Sequence, residues 1–436
     1  MADPLGIALV GCGTVGGGVA ELLLGQASRF TRRTGGVPLE LKHVVIRDLN
    51  RTRPHGLPIN VVTTNWAKAI ADPAVGLVIE LIGGTTTAKE VVLTALKAGK
   101  HVVTANKALL AAHGRELFDA ARAANRSIGF EAAVAGGIPI IKALAESLSA
   151  NQVTAIQGIL NGTSNFILSS MADLGMTYEA ALKEAQHRGY AEADPTLDVD
   201  GSDAAHKLAV LAQIAFGVTP QPNEIEKRGI AGLDALDIRF AAELGYTIKL
   251  LAEAWTLPGA KVSLHVSPVL LRSTDMMAQV RGAFNAIRVV GDVVGETLYQ
   301  GAGAGKMPTA SSVMSDVIDV AVGRLPLTFK AAGLWSGQSH GFTVGDTERV
   351  PSRFYLRVLV KDRPGVLAEV CRLLAVEKIS IASVVQHEAI DGHPEQTVPL
   401  VIMTHAAEAG RFKNAVAAIG RFESVSGKAV YFPVAD

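Results

Sequence analysis

The sequence is poor in cysteine, in charge of one sign and in long apolar runs. Two cysteines, Cys12 and Cys371, occur in 436 residues, which excludes a disulfide framework and a Cys-rich metal site. Lys plus Arg and Asp plus Glu are equal at 41 each, so we expect no nucleic-acid or anionic-membrane partner. No uncharged apolar stretch reaches the roughly 18 residues of a membrane span, and no positive leader precedes the N-terminal apolar run. We therefore expect a cytoplasmic protein.

The first part of the chain alternates between short apolar runs and segments with helical periodicity. We interpret four apolar runs as strands, at Ile7–Val10, Leu41–Ile46, Leu77–Leu81 and His101–Thr104. Continuous apolar strands that alternate with helices are typical of a parallel sheet covered on both faces. The sequence therefore predicts an α/β fold with a Rossmann-type parallel sheet, in a dinucleotide-binding domain over residues 1–134.

The pattern changes twice further along the chain. Helical stretches followed by strand-like runs predict an α+β substrate-binding and dimerisation domain over residues 135–308, and we expect 309–330 to pack back on the first domain. Residues 333–352 are rich in Gly, Ser and Thr, which is typical of a linker. The order βαββαβ over residues 353–436 predicts a ferredoxin-like domain.

The segment GCGTVG at residues 11–16 matches the G-x-G-x-x-G pattern. It follows an apolar run and opens a helix, which is the context that a dinucleotide-binding turn requires. The first glycine allows a tight turn, the second lets backbone amides approach a pyrophosphate, and the third lets the helix pack close to the strand. The positive end of the helix then attracts the phosphates. The predicted cofactor contacts here are Gly11, Gly13, Thr14, Val15 and Gly16.

The residues after the second strand select the cofactor in such folds. An acidic residue there binds the ribose hydroxyls of NAD, and an arginine accepts the 2′-phosphate of NADP. This chain has Arg47-Asp48, followed by Arg51 and Arg53. Arg47 favours NADP and Asp48 leaves NAD open, while a solvated surface turn is the alternative.

A second glycine-rich stretch, at residues 301–305, precedes Lys306-Met307-Pro308-Thr309. It is not a P-loop, because Met follows the lysine and position 300 is Gln. A helix that begins there with proline in its first turn still exposes amides. The stretch could close over the nicotinamide end of the cofactor, or it could be a structural turn.

The densest polar segment carries five carboxylates and one lysine between Glu192 and Lys207. Asp203 and Lys207 are four residues apart on one helical face, which they share with apolar residues. Burial lowers the pKa of a lysine, whereas a neighbouring carboxylate raises it. Lys207 is thus a proton donor, a fixed hydrogen-bond donor or half of a structural ion pair. The pattern disfavours a calcium loop, because Asp198-x-Asp200-Gly201 is too short for one and a lysine follows where the last ligand would fall.

Lys107 follows the fourth predicted strand, within Thr104-Ala105-Asn106-Lys107. The carboxyl ends of the strands are where ligands bind in open α/β sheets. A lysine at this position can reach a substrate or a nicotinamide. The alternative is a surface lysine at the start of a helix.

Taken together, these segments resemble the homoserine dehydrogenase family over nearly the whole chain. The resemblance implies the reversible reduction of L-aspartate 4-semialdehyde to L-homoserine with NAD(P)H, in the biosynthesis of threonine, methionine and isoleucine. It rests on GCGTVG at 11–16, TANKALL at 104–110, EAAVAGGIPII at 131–141, NGTSNFIL at 161–168, GYAEADPTLDVDGSDAAHKL at 189–208 and GAGAGKMPTASSV at 301–313.

The resemblance also implies roles for single residues. Lys207 is then the proton donor to the carbonyl oxygen, and Lys107 assists in the same pocket. The remaining substrate contacts that it implies are Glu192, Asp203, Asp198 and Thr163. The further cofactor contacts that it implies are Lys107, Gly189 and Gly305.

A bound cation is a further implication of the resemblance. The family binds a sodium-type monovalent ion, and the match places it at the Glu131 side chain and at the carbonyl groups of Val134, Gly136 and Ile138. An oxygen-only ligand set suits a hard cation.

The C-terminal segment resembles an ACT domain through VKDRPGVL at residues 360–367. In that family a free amino acid binds at the glycine-containing turn between strand and helix, usually at a dimer interface. Threonine is the expected effector, and a purely dimerising module is the alternative. We expect a homodimer or homotetramer, and a monofunctional enzyme without an aspartate kinase domain.

Three other functions remain as alternatives. An oxidising aldehyde dehydrogenase uses a cysteine nucleophile, but Cys12 lies in the phosphate loop and Cys371 in the C-terminal module. A reductase of the aspartate dehydrogenase type is possible if the 189–208 block has another meaning. A catalytically silent amino-acid sensor would bind nucleotide without turnover.

Overall fold

The structure is a computed structural model that describes residues 3–49, 57–336, 341–387 and 397–435. Its strands, in chain order, are β1 (Leu5–Val10), β2 (Leu39–Val45), β3 (Val62–Thr63), β4 (Val75–Glu80), β5 (His101–Thr104), β6 (Ile128–Gly129), β7 (Val153–Ile159), β8 (Glu226–Lys227), β9 (Tyr246–Leu257), β10 (Lys261–Arg272), β11 (Phe284–Gly291), β12 (Gly295–Ala302), β13 (Thr343–Val344), β14 (Pro351–Lys361), β15 (Ile381–Gln386), β16 (Thr397–Thr404), β17 (Ala407–Glu408) and β18 (Val425–Ala435).

The α-helices follow the same order along the chain. They are α1 (Thr14–Gly25), α2 (Ala27–Arg33), α3 (Trp66–Ala71), α4 (Thr86–Lys97), α5 (Lys107–Ala123), α6 (Ile140–Lys142), α7 (Gly162–Leu174), α8 (Tyr178–His187), α9 (Thr196–Val199), α10 (Ser202–Phe216), α11 (Ala235–Glu243), α12 (Lys306–Ala321), α13 (Arg324–Ala332), α14 (Val366–Val376) and α15 (Ala409–Ile419). Within the described ranges, no helix combines the length and the apolar character that crossing a membrane requires.

The chain divides into two compact units, each built from three separate stretches of sequence. The first unit comprises Met1–Gly162, Asp203–Ile225 and Phe284–Thr343. The second unit comprises Thr163–Ser202, Glu226–Ala283 and Val344–Asp436. The polar segment that precedes Lys207 therefore belongs to the second unit, while Asp203 and Lys207 themselves belong to the first.

A parallel six-stranded sheet forms the centre of the first unit. Its strand order is β3-β2-β1-β4-β5-β6, and every adjacent pair is parallel. The strands are apolar throughout because helices cover both faces, so that Ile7, Leu9 and Leu77 are fully buried. The predicted Rossmann-type sheet is confirmed.

Helix α12 closes the core beside the first strand. Its residues Ala310, Val313 and Val317 are fully buried in the same apolar cluster as Ile7 and Leu9. The helix packs against α1 at a glycine: a Cβ at Gly18 would lie 2.9 Å from the carbonyl oxygen of Lys306. Residues late in the sequence thus complete the core around the first helix.

The first unit also contains three antiparallel strands and a helix that begins at Ile140. Strand β11 pairs antiparallel with β12 on one side and with β7 on the other. In the apolar segment 138–148 a helix begins at Ile140, and after Lys142 it continues as a π-helical turn, Ala143–Ser147.

The second unit contains a hairpin and a ferredoxin-like domain that share one sheet. Strands β9 and β10 form the antiparallel hairpin, and β18 pairs parallel with β10 and antiparallel with β14. Strands β16 and β15 extend the sheet beyond β14, and α14 and α15 cover it around a buried apolar core. The βαββαβ order is confirmed.

A buried lysine ties the hairpin to helix α7 in the second unit. Lys249 is 1% exposed, and its ammonium group donates to Asn165 Oδ1 at 3.0 Å and to the Val280 carbonyl oxygen at 2.5 Å. Burial, together with the charge of Arg281, lowers the pKa of Lys249 to about 8. Folding therefore favours the neutral form of this lysine.

Lys249 is expected to make the second unit more stable at alkaline pH. Between pH 8 and about 10.4, the pKa of a free lysine, the unfolded chain holds a proton that the folded chain has lost. Stability then rises with pH, by up to about 3 kcal/mol. Urea unfolding of the wild type and of Lys249→Met across this range measures the difference. Parallel pH dependences in the two proteins would contradict the expectation.

Candidate functional site

The glycine turn between β1 and α1 has the geometry of a phosphate-binding loop. Gly11 has a φ of +102°, and a Cβ at Gly16 would lie 2.0 Å from the Gly11 carbonyl oxygen. At Gly13, by contrast, a Cβ would find no atom from another part of the described chain within 4 Å. Helix α1 begins at Thr14 without a side-chain cap. Because no side chain caps its first N–H groups, an anion can accept their hydrogen bonds.

The cofactor-selecting positions follow β2 in the first unit. Arg47 and Asp48 are both exposed, so either can meet a ligand at this edge of the sheet. Arg51 and Arg53 lie outside the described residues. The exposure of these residues is compatible with a cofactor-selecting turn and with a solvated surface turn. The preference for NADP therefore stays a prediction.

A buried carboxylate organises the carboxyl ends of β4 and β5. Glu80 is fully buried and accepts hydrogen bonds from the Thr104 hydroxyl at 2.6 Å and from the Ile82 N–H at 2.9 Å. The Thr104 oxygen in turn accepts from the Asn106 N–H at 3.0 Å. Asn106 caps α5 through the Leu109 N–H. This chain of bonds fixes the first residue of α5, which is Lys107.

Lys107, Asp203 and Lys207 meet in what we call the lysine–aspartate cluster. The Lys107 ammonium lies 3.0 Å from Asp203 Oδ1, and the Lys207 ammonium lies 2.7 Å from Asp203 Oδ2. Lys207 also donates to the Leu160 carbonyl oxygen at 2.6 Å, and Asn161 donates to Asp203 Oδ2 at 2.9 Å. Asp203 and Lys207 are both buried, at 8% and 9% exposure.

The electrostatics of the cluster keep its carboxylate ionised. Burial on its own would raise the pKa of Asp203, but the ammonium groups of Lys207 and Lys107 and the bonds from Lys207 and Asn161 hold it well below its usual range. An ionised Asp203 cannot take a proton from either lysine at neutral pH. It therefore acts as a fixed anchor for both ammonium groups.

Four of the predicted contacts lie in the second unit. The Thr163 hydroxyl donates to the Tyr190 carbonyl oxygen at 2.7 Å, which ties α7 to the turn at Gly189, where φ is +73°. Asp198 is half-buried, and its carbonyl oxygen accepts from the Ser164 hydroxyl at 2.7 Å. Glu192 is exposed. Within this unit the structure joins Thr163 to Tyr190, the residue after Gly189, and leaves Glu192 on the surface.

The last predicted cofactor contact precedes α12. Gly305 has a φ of +123°, a conformation that L side chains rarely adopt, and it occupies the N-cap position of the helix without a side-chain bond. Lys306 forms an ion pair with Glu21 of α1 at 2.5 Å. The glycine-rich stretch is therefore held beside the helix that follows the GCGTVG turn.

The predicted cation ligands follow β6. Glu131 is buried, and its carboxylate accepts from the N–H groups of Ile141 and Lys142 at 2.9 and 3.0 Å. Burial and the neighbouring Asp316 raise the pKa of Glu131 to about 8. The Lys142 ammonium acts in the opposite direction, so positive charge within the chain compensates this carboxylate only in part.

Two of the three predicted carbonyl ligands already accept a hydrogen bond. The Gly136 carbonyl oxygen accepts from the Ser312 hydroxyl at 2.6 Å, and the Ile138 carbonyl oxygen accepts from the Ile140 N–H at 2.8 Å. Each carbonyl keeps a second lone pair. Among the described residues there is no group of three or more His, Cys, Asp or Glu that could hold a metal ion. A cation here would depend on backbone oxygens, and it stays a prediction.

The ferredoxin-like domain has a cavity at the end of its first strand. The cavity has a volume of about 380 Å³ and is lined by residues 360–367 and Gln386. Gly365, with a φ of +91°, occupies the N-cap position of α14. The cavity thus coincides with the strand-to-helix turn at which the sequence predicts an amino-acid effector.

The first unit defines the class of this protein. A sheet in the order 3-2-1-4-5-6, with a glycine turn after its first strand, is the dinucleotide-binding domain of nicotinamide-dependent dehydrogenases. The lysine–aspartate cluster lies in the same unit and includes a residue that follows β5 at the carboxyl edge of the sheet.

Family comparisons identify the particular dehydrogenase. Three family models match the chain: the NAD binding domain of homoserine dehydrogenase at 11–131, homoserine dehydrogenase at 139–318 and the ACT domain at 354–423. The chain belongs to the homoserine dehydrogenase family, oxidoreductases that act on a CH–OH group, and its ferredoxin-like domain is an ACT domain.

Individual relatives agree with the family models. A homoserine dehydrogenase of Neisseria gonorrhoeae is 44% identical over 97% of this chain and 96% of its own length. The crystal structure of a homoserine dehydrogenase from Thiobacillus denitrificans has a TM-score of 0.91 at 43% identity, covering 99% of this chain and 98% of that one. A hyperthermophilic archaeal homoserine dehydrogenase in complex with NADPH has a TM-score of 0.62 at 27% identity, over 74% and 98% of the two chains.

Sequence reasoning missed three buried polar residues at the site. They are Glu80, Asn161 and Asn285. Glu80 had a usable signal, because a glutamate that ends an apolar strand is buried and needs hydrogen-bond partners. The two asparagines had none, since their partners come from distant parts of the chain.

Proposed function

We propose that this chain catalyses the reversible reduction of L-aspartate 4-semialdehyde to L-homoserine with NAD(P)H. The lysine–aspartate cluster carries the proposal, because it holds two ammonium groups on one buried carboxylate in the unit that contains the glycine turn. When bound, the nicotinamide supplies the hydride for the aldehyde carbon. The protein must then stabilise and protonate the aldehyde oxygen.

Lys207 is the proposed proton donor to that oxygen. Its ammonium is oriented by the Leu160 carbonyl oxygen and by Asp203, and the proton passes from its nitrogen to the oxygen of the substrate. Lys107 assists from the other side of Asp203. In the reverse direction the neutral Lys207 amine accepts the hydroxyl proton of homoserine.

The remaining site residues are proposed to bind and orient the substrate and the cofactor. Asp203 anchors both lysines and, with Glu192, binds the amino-acid end of the substrate, while Asp198 and Thr163 complete the polar surroundings. The proposed cofactor contacts are Gly11, Gly13, Thr14, Val15, Gly16, Arg47, Lys107, Gly189 and Gly305. We propose NADP as the preferred cofactor, supported by Arg47 and by the NADPH complex of the archaeal relative.

Initial rates test the function directly. Purified protein is expected to oxidise NADPH in the presence of L-aspartate 4-semialdehyde, faster than it oxidises NADH, and to reduce NADP⁺ with L-homoserine. L-Aspartate, the substrate of an aspartate dehydrogenase, and propionaldehyde serve as control substrates. Cofactor binding without turnover of the semialdehyde would favour the silent sensor and contradict the proposal.

The ACT domain is the proposed site of feedback inhibition by threonine. The cavity at 360–367 has room for an amino acid, and the Gly365 turn precedes a helix N-terminus that suits a carboxylate. Threonine is expected to lower the initial rate, whereas alanine at the same concentration leaves it unchanged. Equal rates with both amino acids would leave the domain as a dimerising module.

We also propose a sodium-type cation at Glu131, Val134, Gly136 and Ile138. The ion would add to the positive charge that Lys142 provides at Glu131, and it would stiffen the loop after β6. The melting temperature is then higher in NaCl than in N-methyl-D-glucamine chloride of equal ionic strength, and a Glu131→Gln variant shows no such difference. Equal melting temperatures of the wild type in both salts would contradict the proposed cation site.

The proposal also covers the oligomeric state, the location, the pathway and the domain boundaries. We propose a cytoplasmic homodimer or homotetramer that serves threonine, methionine and isoleucine biosynthesis. Its domains are the dinucleotide-binding domain at 1–134 with 309–330, the catalytic domain at 135–308, the linker at 333–352 and the ACT domain at 353–436.

A further inference from the structure

Asn285 shares a hydrogen-bond acceptor with Lys207. It lies in β11, is 1% exposed, and its side-chain Nδ2 donates to the Leu160 carbonyl oxygen at 3.0 Å. The Lys207 ammonium donates to the same oxygen at 2.6 Å. A carbonyl oxygen has two lone pairs, and these two donors are placed to use both. The Asn285 amide therefore helps to fix the carbonyl that orients the ammonium.

The amide oxygen of Asn285 is a buried acceptor that has no partner among the described residues. Its orientation is not ambiguous, because a carbonyl oxygen only accepts and the amide nitrogen must therefore face Leu160. Buried polar atoms are normally hydrogen-bonded, and an unpaired one costs stability. An acceptor left open beside Lys207 indicates a donor that arrives with a ligand.

The glycine-rich stretch before α12 covers the same amide. A Cβ at Gly303 would lie only 2.1 to 2.3 Å from the amide atoms of Asn285, so the backbone rests directly on the amide plane. The same stretch leads into α12, which packs on α1 at Gly18. Asn285 thus lies between the lysine–aspartate cluster and the glycine-rich backbone that leads into α12.

We propose that Asn285 is a further positioning residue of this site. Its amide nitrogen orients Lys207 through the Leu160 carbonyl, and its amide oxygen accepts a hydrogen bond from an N–H group of the bound ligand. Two ligands offer such a group: the carboxamide of the nicotinamide and the ammonium of the amino-acid substrate. The inference rests on the proposed function, which it deepens.

The first test separates positioning from mere folding. Asn285→Ala and Asn285→Asp are compared with Asn151→Ala, because Asn151 also makes two side-chain hydrogen bonds, to Val294 N–H and the Leu148 carbonyl, at the far end of the same strand pair. The Asn285 variants are expected to lose about 10- to 100-fold in kcat, with melting temperatures close to that of Asn151→Ala, which keeps its kcat. A kcat within twofold of wild type in both Asn285 variants would overturn the positioning role.

The second test identifies the donor. NADP⁺ is compared with its 3-acetylpyridine analogue, in which a methyl group replaces the amide nitrogen, by equilibrium titration without substrate. If the nicotinamide is the donor, the wild type binds the analogue about tenfold more weakly, and Asn285→Ala binds both alike. If the substrate is the donor, Asn285→Ala instead raises the KM for L-homoserine about tenfold.

An affinity change for neither ligand would mean that the amide oxygen accepts only from water, and that part of the inference would be wrong. The cofactor titration needs no substrate, so its result stands even if this chain reduces another aldehyde. Failure of the proposed function would instead appear as absent turnover in the wild type.

Discussion

Replacing Lys207 with methionine is expected to lower kcat by about 10²- to 10⁴-fold, the contribution typical of a positioned general acid. The variant keeps a side chain of similar length but has no proton to deliver and no charge to stabilise the oxygen. Cofactor affinity should stay within about threefold of wild type, because the glycine turn and α1 are separate from this side chain. Stopped-flow or steady-state NADPH oxidation, together with a cofactor titration, measures both quantities.

The fold should survive this substitution. Asp203 would keep its ion pair with Lys107 at 3.0 Å and its hydrogen bond from Asn161 at 2.9 Å, so no buried carboxylate is left without partners. Lys89→Met is the matched control, because Lys89 is also paired, with Glu116 at 2.7 Å, in the same unit. More than a tenth of wild-type kcat in Lys207→Met would exclude Lys207 as the proton donor.

The second large effect is expected at the glycine turn. Gly13→Val is predicted to fold normally and to weaken cofactor binding by about 100-fold or more. Among the described residues, no atom of another part of the chain lies within 4 Å of a Cβ at Gly13, and its φ is −81°, so the free protein accommodates the side chain. The valine would occupy the space in front of the helix N-terminus, where each lost amide-to-phosphate bond costs about 1.5–3 kcal/mol.

Gly16→Val is the comparison variant, and it is expected to lower the stability of the fold, which Gly13→Val leaves unchanged. A Cβ there would lie 2.0 Å from the Gly11 carbonyl oxygen, so the turn itself must open and the melting temperature should fall. Thermal melts and cofactor titrations of both variants separate the two roles. If Gly13→Val bound the cofactor as the wild type does, the phosphates could not lie at this turn.

The parallel sheet could be predicted from sequence because its signals are local. Buried strands in such a sheet are apolar throughout, and the GCGTVG pattern marks the first strand-to-helix turn. The π-helical turn at Ala143–Ser147 carried no such signal, because the apolar residues of Ile138–Leu148 suit an α-helix equally well. The second unit was harder to delimit, because the C-terminal strand β18 pairs with β10, which lies far away in the sequence.

The site was predictable residue by residue only where a motif marked it. Lys107 follows a recognisable strand, and Asp203 and Lys207 share one helical face. The role of Glu80 as the acceptor for Thr104, and of Asn285 as the partner of Leu160, depends on contacts between elements. No periodicity or spacing within the chain encodes those pairs.

The sequence by itself determined the class of fold, the glycine turn after the first strand and the family, because each depends on short patterns or on similarity along the chain. Only the tertiary structure decided that Lys107 and Lys207 share the two oxygens of one carboxylate, and that this carboxylate is buried. A charge pair between segments distant in sequence exists only after the chain has packed, and its electrostatics follow from that burial.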